Sequence, residues 1–216
     1  DGVAFREFAI KSGAETTSAV FVGNALPTDS YIAVYPYDEN LTVDSEGRIT
    51  GLRVPEIQAA GECPVIMTAR CEDGGNTFSF RNALAYVKVT PEFDCHKIVL
   101  EAYGADASDS GRDLCGDVEI AADSAHVIGA PANHVVITGS IKAGRSFYAA
   151  VAPRCLNSGF MVIFDASDNG IQYARKSENH TDLLRGHVLN LGAFGKTSTE
   201  WTDKGPLAPC VWPNDL

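Results

Sequence analysis

Val20-Phe21-Val22-Gly23 is followed, after seven residues, by Tyr31-Ile32-Ala33-Val34-Tyr35-Pro36. The same order returns later as Val136-Ile137-Thr138-Gly139, then eight residues, then Tyr148-Ala149-Ala150-Val151-Ala152-Pro153. Each copy reads as a short β-branched strand, a glycine turn, a polar loop, and a second strand ended by a proline that has no N–H to give a ladder. Repetition at a long spacing marks duplicated units. The spacing here is about one small domain, which predicts two related β-domains in tandem. That organisation points away from a one-pocket enzyme and toward a modular protein.

Outward from the repeat, strand patterns dominate. Candidates are Ala19–Val22, Tyr31–Tyr35, Arg48–Val54, Thr77–Phe80, Ala83–Thr90, Lys97–Tyr103, Asp117–Ile120, His134–Thr138, Ser146–Ala152, Phe160–Asp165, Gln172–Lys176 and Gly186–Leu191. They are short, rich in Val, Ile, Tyr and Phe, and separated by clusters such as Asp44-Ser45-Glu46-Gly47 and Asp73-Gly74-Gly75-Asn76. Asn169-Gly170 tolerates positive φ at both residues, so Phe160–Asp165 and Gln172–Lys176 are expected to pair antiparallel across it. No window carries a helical stripe of ten or more residues, and Glu56–Ala60 reads as one turn of helix at most. The expected class is therefore all-β, as antiparallel sandwiches and not βαβ units. The expected division is an N-terminal sandwich over 1–80, a C-terminal sandwich over 81–198, and a proline-containing tail over 199–216. Trp201 and Trp212 predict that this tail docks on something instead of extending freely.

Composition narrows the function. The chain of 216 residues has 28 acidic and 17 basic residues, a formal charge of −11, and no stretch that concentrates Lys and Arg. Nucleic acid is excluded as a partner, because phosphate binding needs a cationic face that releases counterions. An anionic membrane surface repels such a chain for the same reason. The sequence opens at Asp1 without Met, which reads as a mature, proteolysed or trimmed form whose signal peptide or lipid anchor lay upstream. No run approaches the roughly 18 apolar residues that span a membrane as a helix.

The residues able to do chemistry are scattered. Cysteines stand at 63, 71, 95, 115, 155 and 210, with no CxxC pair and no histidines at zinc-ligand spacing around them. Cys63 and Cys71 could close a short hairpin loop as a disulfide, or be ordinary buried thiols. His180-Thr181-Asp182, His126, His134, Cys155 and Ser158 are the nucleophile or base candidates, none in a motif such as GxSxG or HExxH. Scattered His and Ser in a β-sandwich read first as loop or edge residues. Accordingly no catalytic, cofactor-binding or metal residue is assigned, and no cofactor is expected. Asp106-Ala107-Ser108-Asp109-Ser110-Gly111 lacks the spacing and closing Glu of a calcium loop and reads as a solvated connection. Gly23, Gly139 and Gly144 read as turn glycines. Among the aromatics near the repeat, Tyr31, Tyr35 and Tyr37 share a parity and are expected in the core, while Phe147 and Tyr148 alternate.

Taken in order, these segments resemble the fimbrillin-like proteins of Bacteroidetes, the type V pilin subunits and related surface lipoproteins. Phe21-Val22-Gly23 to Tyr31-Ile32-Ala33-Val34-Tyr35-Pro36-Tyr37 is similar to that family's "F-x-G … Y-Y-A-x-Y-P-Y" segment. Leu52-Arg53-Val54-Pro55-Glu56-Ile57-Gln58 is similar to its "L-P-x-x-Q" step, and Phe78 to Val89 to its "F-x-N-x-x-A-x-L-K-F" strand pair. Phe147 to Pro153 with Gly159-Phe160, and Arg185 to Gly192, resemble its closing elements. The resemblance implies two tandem transthyretin-like sandwiches, a lipoprotein precursor anchored to the outer membrane, export to the cell surface, and assembly into a fimbria by β-strand donation between pilin-type subunits. Asp1–Phe5 resembles the family's "G-D-x-I-x-V-F" strand, so the first domain is expected to lack its opening strand or strands and to act as acceptor. Two other readings stand beside this one. A non-polymerising surface lipoprotein would bind glycan or a host protein. A secreted hydrolase using His180 or His134 is disfavoured by the lack of clustered Asp, Glu, His or Cys.

Overall fold

Phe160-Met161-Val162-Ile163-Phe164 is apolar at every position, the pattern of a strand covered on both faces. In the structure, a computed structural model, all five are buried. The structure describes residues 5–13, 18–24, 28–72, 74–103, 112–122, 124–168 and 171–196, with the backbone of 200–201. Strands are numbered in chain order. β16 (Phe160–Ala166) lies inside a six-stranded sheet ordered β20 (Glu200–Trp201), β17 (Gln172–Ser177), β16, β10 (Cys95–Ala102), β13 (His134–Ile141) and β6 (Ile57–Ala59). All neighbours are antiparallel except β6, which runs parallel to β13. The expected hairpin is present: Phe160 stands opposite Ser177 and Asp165 opposite Gln172, while Asn169-Gly170 lies outside the described residues.

A second layer covers this sheet. β14 (Phe147–Val151), β9 (Ala85–Pro91) and β19 (Val188–Phe194) form a sheet in that order, with β19 parallel to β9. Val87, Val89 and Ala149 face Ile98, Leu100 and Val135 of the larger sheet around a void of about 10 Å³. The result is a β-sandwich with a dry, apolar interior. A third sheet, β12 (Ala125–Ala132), β11 (Cys115–Ile120), β5 (Ile49–Val54) and β4 (Thr42–Val43), turns Ile49, Val54, Val118 and Ile120 into the same core. At one end Phe93, Phe164, Tyr173 and Phe194 form an aromatic cluster with ring centroids 4.9 to 5.8 Å apart, mostly edge to face. β15 (Arg154–Leu156) and β18 (Thr181–Leu183) make a separate antiparallel pair. Two small sheets remain from the N-terminal part: β3 (Tyr31–Tyr35), β7 (Met67–Cys71) and β8 (Arg81–Asn82), and the hairpin β1 (Ala9–Ser12) with β2 (Val20–Val22).

The all-β class holds, with no helix among the described residues. Several finer expectations change. Glu56–Ala60 contains strand β6 and no helical turn, because Ile57–Ala59 finds a partner in Val136–Thr138. Thr77–Phe80 forms no strand, and Phe78 packs edge-on to Tyr31. Strand pairing crosses the expected division at residue 80: β5 pairs with β11, β6 with β13, and β7 with β8. One core cluster runs from Leu41 to Phe194, so residues 49–59 belong by pairing and packing with the later strands. Cys63 and Cys71 are not joined to each other as a disulfide. Of the tail, Glu200–Trp201 pairs with β17, while Trp212 and Cys210 lie outside the described residues.

Candidate functional site

Two places combine exposure with unusual residues. The first is the hairpin β1–β2. Ile10 stands opposite Phe21 and Ala9 opposite Val22. Alternation then puts Phe8, Ile10 and Phe21 on one face and Val20 and Val22 on the other. The hairpin is apolar on both faces, yet these five residues are 40 to 56% exposed. An isolated two-stranded hairpin is marginal in water at best, and contiguous exposed apolar surface marks a contact site. Among the described residues β1 and β2 pair only with each other, which leaves an outer edge on each. Gly23 fits its place because the Phe8 ring lies against its backbone, 2.7 Å from where a Cβ would sit. β1 escaped the sequence reading, although Phe8-Ala9-Ile10-Lys11 contains the alternation that could have found it.

The tyrosines of the repeated motif depart from expectation. Tyr31 is half-buried, but Tyr35 and Tyr37 are 47% and 44% exposed. Their sheet has three strands and β3 is its edge, so little covers them. Phe147 is buried and Tyr148 exposed, as alternation requires.

The second place is the β15–β18 pair. Cys155 stands directly opposite Asp182, and His180 precedes β18. His180 Nε2 lies 3.0 Å from Asp182 Oδ1, and His180 Nδ1 lies 3.2 Å from Asn157 Oδ1. The Cys155 thiol donates to the Asp182 carboxylate. That bond holds Asp182 below the ordinary carboxylate range, with His180 adding to it, and holds the Cys155 thiol above its ordinary value. A cysteine nucleophile needs the opposite, an imidazole that takes the thiol proton. Here the carboxylate sits between the two, so the arrangement gathers ligand atoms more readily than it activates sulfur.

The other candidates stay apart. His134 Nε2, at the start of β13, lies 2.9 Å from Oε1 of Glu56, the residue before β6, as a partly exposed pair. His126 is exposed on β12, and Ser158 lies in the turn after β15. Burial pushes the Cys63 and Cys115 thiols up to about 11 and the Cys95 thiol to about 12, which makes them inert core residues. Gly144, at φ +74°, sits in the turn after β13 as read, whereas Gly139, at φ +128°, lies inside β13 where the register with β10 shifts, and not in a turn. Asp106 to Gly111 lies outside the described residues. Sequence reasoning missed Asn157, which orients His180.

Comparison with known proteins bears on the fold. No protein-family model matches the sequence, and no curated protein matches it. Two solved structures are similar. A candidate cell adhesion protein of Bacteroides uniformis gives a TM-score of 0.53 at 14% identity, over 78% of this chain and 68% of that one. A candidate cell adhesion protein of Bacteroides ovatus gives 0.55 at 14% identity, over 88% of this chain and 75% of that one. At this identity the likeness is one of fold: an all-β chain with the architecture of these two proteins.

Proposed function

We propose that this chain is a non-enzymatic structural subunit or adhesin of a cell-surface fimbria, exported as a lipid-anchored outer-membrane precursor, that joins other pilin-type subunits by exchange of a β-strand. The β1–β2 hairpin carries the reading. It presents free backbone edges and apolar side chains on both faces, and an extended segment of another subunit would satisfy both at once. Among the described residues, 5–80 hold no closed sandwich of their own, since β5 and β6 pair with later strands and β1–β2 stays outside the larger sheets. The fold it shares with candidate cell adhesion proteins of Bacteroides supports the same reading. The test is unheated SDS electrophoresis and negative-stain microscopy of the exported protein, beside an Ile10→Asp, Phe21→Asp variant. Ladders and filaments that vanish in the variant are expected. A strictly monomeric protein, or a variant that assembles like the parent, overturns the reading.

Exposed Tyr35 and Tyr37 favour a second reading, a non-polymerising surface lipoprotein that stacks these rings on a glycan or a host protein. Polysaccharide arrays test it. Binding that is lost in Tyr35→Ala and Tyr37→Ala supports it, and binding that is unchanged removes it.

A further inference from the structure

We propose that Cys155, His180 and Asp182 form a surface site for a borderline-soft divalent metal, with Zn²⁺ the best fit and Asn157 as the outer partner. The site is built by the β15–β18 ladder. Leu156 and Leu183 are buried, 1% and 2% exposed, and anchor the two strands in the core. Period-2 alternation then turns Cys155 and Asp182 outward, and the register places them opposite each other. His180 joins from the residue before β18. The thiol sulfur, an imidazole nitrogen and a carboxylate oxygen all lie within 4.8 Å of one another.

Three lone-pair donors converging on one point are the geometry a cation needs. A tetrahedral zinc with bonds of about 2.0 to 2.3 Å sets its ligand atoms roughly 3.3 to 3.7 Å apart. The Nε2–Oδ1 separation of 3.0 Å is slightly short of that, and the others lie within 4.8 Å. His180 and Asp182 side chains are 57% and 46% exposed, so small rotamer changes complete the geometry without moving the core. With a metal on Nε2 in place of its present contact with Asp182, the imidazole would keep its proton on Nδ1 and donate it to Asn157 Oδ1, 3.2 Å away, the usual outer-partner role at a metal-binding histidine. The ligand set selects the metal. Thiolate and imidazole suit zinc and its neighbours, whereas calcium and magnesium take oxygen ligands. Three protein ligands leave a fourth position open for water or for a donor from a second molecule. This site is independent of the strand-exchange reading.

The test uses the full chain, reduced and stripped of metal with a chelator, and titrated with Co²⁺ as a spectroscopic stand-in for Zn²⁺. One equivalent with a thiolate-to-cobalt charge-transfer band is expected, displaced by Zn²⁺ and unaffected by excess Ca²⁺. Cys155→Ser should abolish the band, His180→Ala and Asp182→Asn should each weaken binding at least about tenfold, and Asn157→Ala about tenfold. Circular dichroism checks that the exposed substitutions leave the fold intact. No charge-transfer band in the parent chain, or the same band in folded Cys155→Ser, overturns the proposal.

Discussion

Gln58 is 2% exposed, and its amide is bonded at both ends. Nε2 donates to Ala150 O at 2.8 Å and to Pro55 O at 3.0 Å, and Oε1 accepts from Ala150 N at 2.9 Å. The side chain acts as a spare peptide unit that ties β6, at the edge of one sheet, to β14, at the edge of the other. Gln58→Leu keeps the volume but leaves the Ala150 N–H and C=O unpaired, so a loss of about 2 to 4 kcal/mol is expected in urea unfolding. Asp44 governs a turn in the same local way. Its Oδ1 accepts from the Glu46 and Arg48 N–H groups and its Oδ2 meets Arg48 Nε, which lowers its pKa. A depressed carboxylate stabilises the fold above its ordinary value of 3.8, and that contribution is lost as pH falls through the lower folded value. Asp44→Asn should therefore lower Tm at neutral pH, with the difference shrinking toward pH 2. A constant difference across that range would refute this. The turn at Asp44-Ser45-Glu46-Gly47 was legible because these interactions span four residues. The role of Gln58 was not, since its partner Ala150 is 92 residues away.

At the scale of the element, strands that carry their own pattern were legible and the others were not. β16 is apolar from Phe160 to Phe164, and β3 was placed residue for residue at Tyr31–Tyr35. β6, β15 and β18 have three residues each, too few to show any period, and appear only because a neighbour supplies the ladder. The weight of a legible strand can be measured. Phe164 is 1% exposed and touches the rings of Phe93 and Phe194. Phe164→Ala should cost about 3 to 5 kcal/mol, read as a lower urea midpoint with an unchanged slope. A loss under about 1 kcal/mol would mean that the cavity collapses and the cluster is not the keystone of that end.

At the scale of the molecule, charge and the exposed hairpin act against each other. The chain carries −11, so two copies repel at long range, while β1–β2 offers apolar surface that favours contact. Salt shortens the reach of the repulsion, from about 30 Å at 0.01 M to about 8 Å at 0.15 M, and leaves the apolar term in place. Self-association measured by light scattering should therefore quicken as salt rises over that range. If salt slows it, oppositely charged patches and not the hairpin hold the copies together. Strand pairing also crosses the expected domain boundary at this scale. Residues 49–59 follow the N-terminal strands in sequence but hydrogen-bond to 115–120 and 134–141 in space.

The sequence by itself determined that the chain is β-structured, where most of its longer strands lie, and that Phe160–Ala166 and Gln172–Ser177 pair. Those outcomes rest on β-branched and aromatic propensity, period-2 alternation and turn chemistry, all set by residues within a few positions of each other. Only the tertiary structure decided which sheet each short strand joins, that Tyr35 and Tyr37 face outward, and that Cys155 meets His180 and Asp182. These depend on which faces are covered and which distant edges close on each other, and no local pattern of side chains encodes them.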